Sequence, residues 1–252
     1  MQLAGGLGNQ LFQYGAALLI RQHVKQVFLS PVKNEHSSRD YRKLMFNRLP
    51  HVDAIPKIRT HELDAYVDWD PESFDGCAYD IYLRGYFQHL PSFRPILPVI
   101  CQDLIEFLSP YREEMRAKYS LTSLSSTGFI HVRRGDYVTI AEGNLHFVQA
   151  PEYYKEALSR IPGKRWIILS NDTTWCREQS VFSECTIAEE PDELCGLALM
   201  SLCQGAAIIG NSTYSWWGAM MGADAAGSPV VYPSRWTAGQ NPDLCPSRWI
   251  RI

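Results

Sequence analysis

The chain has no long apolar run. The longest, around Gly15 to Ile20, is far too short to span a bilayer, and no basic region with an apolar signal core follows Met1. It has no CxxC pair either. Seven cysteines (Cys77, Cys101, Cys176, Cys185, Cys195, Cys203, Cys245) make an odd, scattered set, which argues against a disulfide framework or a zinc site. Charge of one sign is also missing. The formal net charge is −3 with no run of like charges, so the overall field points to neither nucleic acid nor membrane, and an anion site must be local. No internal repeat or low-complexity stretch is visible. The expectation is a soluble, cytoplasmic chain, with membrane or Golgi association only through an anchor upstream of the short stub before the first glycines.

What is present is core-forming material. With 252 residues, 46% of them apolar and 20% charged, the chain can fill one large domain or two smaller ones. Gln2 to Ala4, the glycine-rich Gly5-Gly6-Leu7-Gly8 and the apolar Leu11 to Ile20 predict strand, turn and helix, a Rossmann-like opening. From Gln26 to about Leu83, short apolar pieces such as Val27-Phe28-Leu29 and Ile81-Tyr82-Leu83 alternate with polar connections and allow no assignment. Phe107 to Tyr119 predicts a helix, and the polar run Thr122 to Thr127 a linker, dividing the chain into domains 1–121 and 122–252. Beyond it Phe129 to Val132, Arg165 to Leu169, Ala206 to Ile209 and Pro229 to Tyr232 are apolar runs of strand length. They are separated by helical segments at Glu152 to Arg160, Thr173 to Gln179, Asp192 to Cys203 and Trp216 to Asp224. This is the α/β pattern of a parallel sheet wrapped by helices, whose ligands collect where strands end and helices begin.

Four motifs lie at such junctions. In Gly5-Gly6-Leu7-Gly8-Asn9-Gln10 the glycines permit a tight turn and close approach to a ligand, although glycine-built strand-to-helix turns are also common without one. Phe129-Ile130-His131-Val132-Arg133-Arg134-Gly135-Asp136-Tyr137 ends a buried strand with an imidazole, two guanidiniums and a carboxylate. Strand alternation places His131 and Arg133 on one face, with Arg134 pointing away. A planar guanidinium suits diphosphate oxygens, while the plainer roles are a half-buried histidine and arginines in structural ion pairs. Ser170-Asn171-Asp172 offers either a helix cap or a carboxylate that accepts from a purine edge. Gly210-Asn211-Ser212-Thr213-Tyr214-Ser215-Trp216-Trp217 places small hydroxyls at a helix start, either an anion cradle or a serine cap before two core tryptophans.

Taken together, GGLGNQLFQYG, HVRRGDY, SND and NSTYSWWGA follow the order and spacing of the α1,2-fucosyltransferase family, which the chain resembles over nearly its whole length. Gly85-Tyr86-Phe87-Gln88 and the ending Pro242 to Ile250 are similar too. Departures are a clipped first strand, Gly15 where alanine is usual, and a short first half. The resemblance implies a GT-B architecture: an acceptor-side Rossmann-like domain facing a GDP-fucose-binding one across a cleft, the C-terminal tail returning to the first. It implies inverting transfer of L-fucose from GDP-fucose to the 2-hydroxyl of a galactose-terminated glycan. Arg133 would hold the donor β-phosphate, His131 and Asp172 would lie near the nucleoside, and Ser212, Thr213 and Ser215 would complete the diphosphate site. Gly8, Asn9 and Gln10 would serve the acceptor or fucose side. Asp136 is the first candidate base and Glu142 the second, and no metal or other cofactor is expected.

Two alternatives remain from the residues. Asp68-Trp69-Asp70 is a DxD of the kind that holds a metal in GT-A transferases. A tryptophan-rich chain also suits a carbohydrate- or GDP-sugar-binding module without turnover.

Overall fold

A computed structural model of the protein describes residues 1–31, 39–54, 59–62, 68–77, 81–139, 147–237 and 243–252. The chain divides into two compact units, Met1–Leu104 with Pro242–Cys245 and Ile105–Asn241 with Pro246–Ile252.

The first unit contains helices α1 (Leu7–Ile20), α2 (Tyr41–Leu44) and α3 (Leu90–Phe93), most of α4 (Leu97–Phe107), and strands β1 (Arg59–Glu62) and β2 (Ile81–Arg84). β1 and β2 pair in parallel. The ladder continues beyond them through single bonds. Gln2 N–H donates to the Leu83 carbonyl, Gln2 bridges Ser30, and Leu29 bridges His51, both bridges parallel. Parallel pairing is thus present, but it comprises two four-residue strands and isolated bridges, which is why the sequence between Gln26 and Leu83 showed only short apolar pieces.

Helix α1 begins at Leu7, not Leu11, so Gly8, Asn9 and Gln10 form its first turn instead of the preceding loop. Apart from Asn9 all its residues are buried, which explains a helix apolar nearly all round. Phe12 packs on Phe93 with ring centroids 4.9 Å apart, and Tyr14 stacks on Phe46 at 4.4 Å. A Cβ on Gly15 would fall 2.3 Å from the Phe93 ring, so the glycine makes room for that aromatic.

The second unit is a six-stranded parallel sheet, ordered β5-β4-β3-β6-β7-β8. Its strands are β3 (Thr127–Val132), β4 (Arg165–Ser170), β5 (Thr186–Ile187), β6 (Ala206–Ile208), β7 (Val230–Tyr232) and β8 (Ile250–Arg251). Its helices are α5 (Ser109–Lys118), α6 (Asp136–Thr139), α7 (Pro151–Arg160), α8 (Thr173–Glu178), α9 (Glu193–Leu202) and α10 (Thr213–Ala219), the last continuing as a π-helical turn over Met220–Asp224. Counted from β3 the order is 3-2-1-4-5-6, that of the doubly wound dinucleotide-binding fold.

Other boundaries also differ from the sequence expectation. The helix predicted over Phe107 to Tyr119 is split at Leu108 into α4 and α5, with Pro110 in the first turn of α5 where it costs no hydrogen bond. Helix α10 starts at Thr213, three residues before Trp216, so the hydroxyl-rich motif is helical from its second hydroxyl onward. The expected linker residue Thr127 is the first residue of β3.

Alternation along β3 sorts the core. Ile130 and Val132 join Tyr154 and Ala157 of α7, Ile168, Ala206, Ile208 and Val231 in one buried cluster. Phe129 and His131 therefore point to the opposite face. Trp216 and Trp217 are fully buried, 5.1 Å apart and nearly perpendicular, so both are core residues. Cys176, Cys195 and Cys203 are buried thiols outside any disulfide, and burial pushes Cys203 up to about 12.

Candidate active site

In a doubly wound sheet the strand order reverses between its first and fourth strands, leaving a crevice beyond their C-terminal ends. Here that switch point lies between β3 and β6. The segments leaving those two strands are His-Val-Arg-Arg-Gly-Asp and Gly-Asn-Ser-Thr-Tyr-Ser. The topology thus brings together the two motifs richest in charge and hydroxyls. The two segments adjoin at Gly210, where a Cβ would be in ordinary van der Waals contact with the His131 carbonyl at 3.5 Å and the Arg133 Cβ at 3.9 Å.

His131 is 5% exposed and lies beside Tyr214 of α10, ring centroids 5.7 Å apart. The Tyr214 ring is fixed by its hydroxyl, which donates to the Glu193 carbonyl at 2.5 Å over Gly196. Burial, reinforced by the positive charge of Arg133, lowers the His131 imidazole from its ordinary 6.5 to about 3. The ring is therefore neutral at physiological pH, and its buried Nδ1 has no hydrogen-bonding partner among the described residues. Unsatisfied buried nitrogens are uncommon and mark positions where a further group completes the bonding.

The two arginines take different directions. Arg133 lies half-buried with its guanidinium carbon 5.2 Å from the Tyr137 ring centroid, and the Tyr137 hydroxyl donates to the Asn211 carbonyl at 3.2 Å. Asn211 is buried and anchors its loop through a bond from Nδ2 to the Trp236 carbonyl, 2.9 Å. Arg134 stacks over Trp175 at 4.1 Å and donates from Nε to Asp172 Oδ2 at 3.1 Å. Arg134 thus makes, with Asp172, the structural ion pair considered from the sequence.

The loop after β4 is clamped to the loop after β3. Asn171 Oδ1 accepts from the Arg134 backbone N–H at 2.9 Å. Gly135 has φ +36°, and a Cβ there would lie 2.2 Å from the Asn171 amide nitrogen. Asp172 is the N-cap of α8, its Oδ1 accepting from Trp175 N–H at 3.0 Å. Both carboxylate oxygens thus have a protein donor, each retaining a second lone pair.

Ser212 occupies the N-cap position of α10 without a side-chain cap bond, so the serine cap weighed from the sequence is not made. Ser215 is fully buried and donates to the Ser212 carbonyl at 3.1 Å, while Thr213 is half-buried. Asp136 opens α6, and Glu142 lies outside the described residues.

In the first unit, Gly5 has φ +75°, and Gln10 Nε2 donates to its carbonyl at 2.8 Å. Gln10 is fully buried, and its Oε1 has no partner among the described residues. Gly8 is buried, and Asn9, half-buried, accepts at Oδ1 from Gln88 Nε2 at 3.0 Å. Buried Gln13 accepts from Ala4 N–H at 2.8 Å and donates to the Gly85 carbonyl at 2.9 Å. Gln13 and Gln88 were given no role from the sequence. The available signal was a glutamine recurring on an otherwise apolar helix, in Leu7 to Ile20.

The DxD residues serve locally. Asp70 caps the 3₁₀ turn Pro71–Phe74 by accepting from Glu72 N–H at 2.9 Å. Asp68 accepts from Ser92 Oγ at 2.8 Å and lies 3.2 Å from His89 Nδ1.

The profile of glycosyl transferase family 11 matches residues 2–232. The chain belongs to this family. Relatives align over most of its length. The O-antigen biosynthesis glycosyltransferase WbnK of Escherichia coli is 28% identical, covering 99% of both chains. An α-1,2-colitosyltransferase of the same species is 25% identical over 100% of this chain and 97% of its own. Galactoside α-(1,2)-fucosyltransferase 1 of Leontocebus fuscicollis is 24% identical over 92% of this chain and 67% of its own. A glycosyl transferase family 9 structure from Veillonella parvula superposes with a TM-score of 0.52 at 12% identity, over 100% of this chain and 83% of that one. The fold is of the GT-B type, and the GT-A alternative built on Asp68 and Asp70 falls with it. Among the described residues no helix is long and apolar enough to cross a membrane.

Proposed function

We propose that this family 11 glycosyltransferase moves L-fucose from GDP-fucose to the 2-hydroxyl of a galactose residue in a glycan, with inversion and without a metal. The observation that carries the reading is the switch point between β3 and β6, where the segment bearing His131 and Arg133 adjoins the Gly210 to Ser215 turn and His131 Nδ1 has no partner among the described residues. A sugar diphosphate matches that chemistry: the planar guanidinium binds paired phosphate oxygens and small hydroxyls fill the remaining acceptor sites. Names among the relatives, an α-1,2-colitosyltransferase and a galactoside α-(1,2)-fucosyltransferase, support a 1,2-linkage and a deoxy-sugar donor.

In the proposed reaction the galactose hydroxyl attacks the anomeric carbon opposite GDP. Negative charge grows on the departing diphosphate, and Arg133 stabilises it more in the transition state than in the ground state. Asp136 takes the hydroxyl proton, with Glu142 as the second candidate. His131 and Asp172 hold the nucleoside, Ser212, Thr213 and Ser215 the diphosphate, and Gly8, Asn9 and Gln10 the sugar side. A neutral imidazole fits this role, since it offers one donor and one acceptor and adds no second cation beside Arg133.

The reading is tested by calorimetric titration with GDP, UDP and ADP. GDP should bind most tightly, because the remaining lone pairs of Asp172 accept from the amino-bearing edge of guanine and repel the carbonyl edge of uracil. Equal affinity for all three would remove it.

The relative named for colitose transfer favours a second donor reading, in which the GDP-linked sugar is colitose. Turnover with GDP-colitose exceeding that with GDP-fucose would select it.

A further inference from the structure

We propose that Gln88 is a positioning residue that fixes the orientation of the Asn9 carboxamide, so that Asn9 offers an N–H donor to an oxygen of the bound sugar nucleotide. The inference rests on the sugar-side role of Asn9 proposed above. Gln88 is buried, and its Nε2 reaches Asn9 Oδ1 at 3.0 Å across 79 residues of sequence. Once that oxygen accepts from Gln88, the two ends of the amide are no longer interchangeable. The Asn9 nitrogen lies over Gly5, where a Cβ would sit 2.4 Å from it. The carboxamide is therefore held between a glycine that leaves it room and a glutamine that sets its direction.

The segment carrying Gln88 is built at a cost. Phe87 adopts φ +56°, a left-handed conformation that bulky residues avoid. Its ring is fully buried, edge-on to Trp69 with centroids 5.4 Å apart. Anchoring the segment to α1 does not need this strain, because Gln13 already ties the Gly85 carbonyl to the helix. What the left-handed turn adds is the placement of Gln88 against the first turn of α1, where Asn9 is the half-buried polar side chain.

The test is a double-mutant cycle read by turnover, KM for GDP-fucose and thermal melting. Gln88→Met keeps length and volume but cannot donate, so turnover should fall by about ten- to a hundredfold with KM nearly unchanged. In an Asn9→Ala background the same change should have no further effect, an outcome that a merely structural role would not produce. Gln88→Glu, which can only accept when ionised, should turn the Asn9 amide round and lower turnover at least as far. It also carries the test if Gln88→Met does not fold. Folded Gln88 variants with normal turnover, or an equal loss in both backgrounds, would overturn the proposal while leaving Asn9 in place. Normal turnover in Asn9→Ala would remove the role of Asn9 itself, and this inference with it.

Discussion

His131 gives the chain a pH dependence that can be worked out from its surroundings. Burial first, and the charge of Arg133 second, hold the native imidazole at about 3, against an ordinary 6.5 for an exposed histidine. Between those values the unfolded chain binds a proton that the native chain refuses, so stability rises with pH across this window and is lost as pH falls through it. At pH 5 that proton uptake favours the unfolded state by about 2 kcal/mol relative to pH 7. For a chain of this size that corresponds to roughly 4–8 °C in melting temperature. His131→Gln removes the titration while keeping a neutral polar group. Thermal melts of both proteins without nucleotide, at pH 7 and pH 5, isolate the effect, because every other titrating group is common to the pair. The wild type should lose about 2 kcal/mol more than the variant on acidification. Parallel losses in the two proteins would show that His131 is not held neutral by its site.

The remaining predictions concern the proposed chemistry. Arg133→Lys keeps the charge but loses the planar fork, so turnover should drop by about 10²–10³ while GDP still binds, more weakly, and the melting temperature hardly changes. Near-normal turnover in that folded variant would make Arg133 a structural residue. Asp136→Asn should lower turnover by about 10²–10⁴ with GDP affinity unaltered. Loss of GDP affinity instead would give Asp136 a structural role and move the base to Glu142. Activity should persist in excess EDTA, since the proposed charge stabilisation uses Arg133 and backbone N–H groups. Complete loss that manganese restores would contradict it.

The second unit was legible because parallel strands buried on both faces read as unbroken apolar runs. Phe129 to Val132 and Arg165 to Leu169 were located to within two residues on that basis. Thr186–Ile187 and Ile250–Arg251 escaped notice because two-residue edge strands carry no run. In the first unit the ladder passes through isolated residues such as Gln2 and His51, and no periodicity can reveal a single bridge. The site shows the same division. The motifs at His131 and Gly210 could be read, but their meeting follows from strand order, which the sequence does not display. Arg134 was expected to point away by strand alternation. It does take a direction of its own, onto Trp175 and Asp172, although β3 ends at Val132 and regular alternation stops there. The Gln88 to Asn9 bond joins residues too far apart in sequence for any local pattern to predict it.

The most direct measurement of the central claim is to incubate the protein with GDP-fucose and a β-galactoside, quantify released GDP, and determine the linkage of the product. The account predicts GDP release that depends on the acceptor and a product carrying α-linked fucose on the galactose 2-hydroxyl. No acceptor-dependent release across a panel of galactose-terminated glycans, with GDP bound normally, would contradict transfer and favour a binding module that has lost turnover.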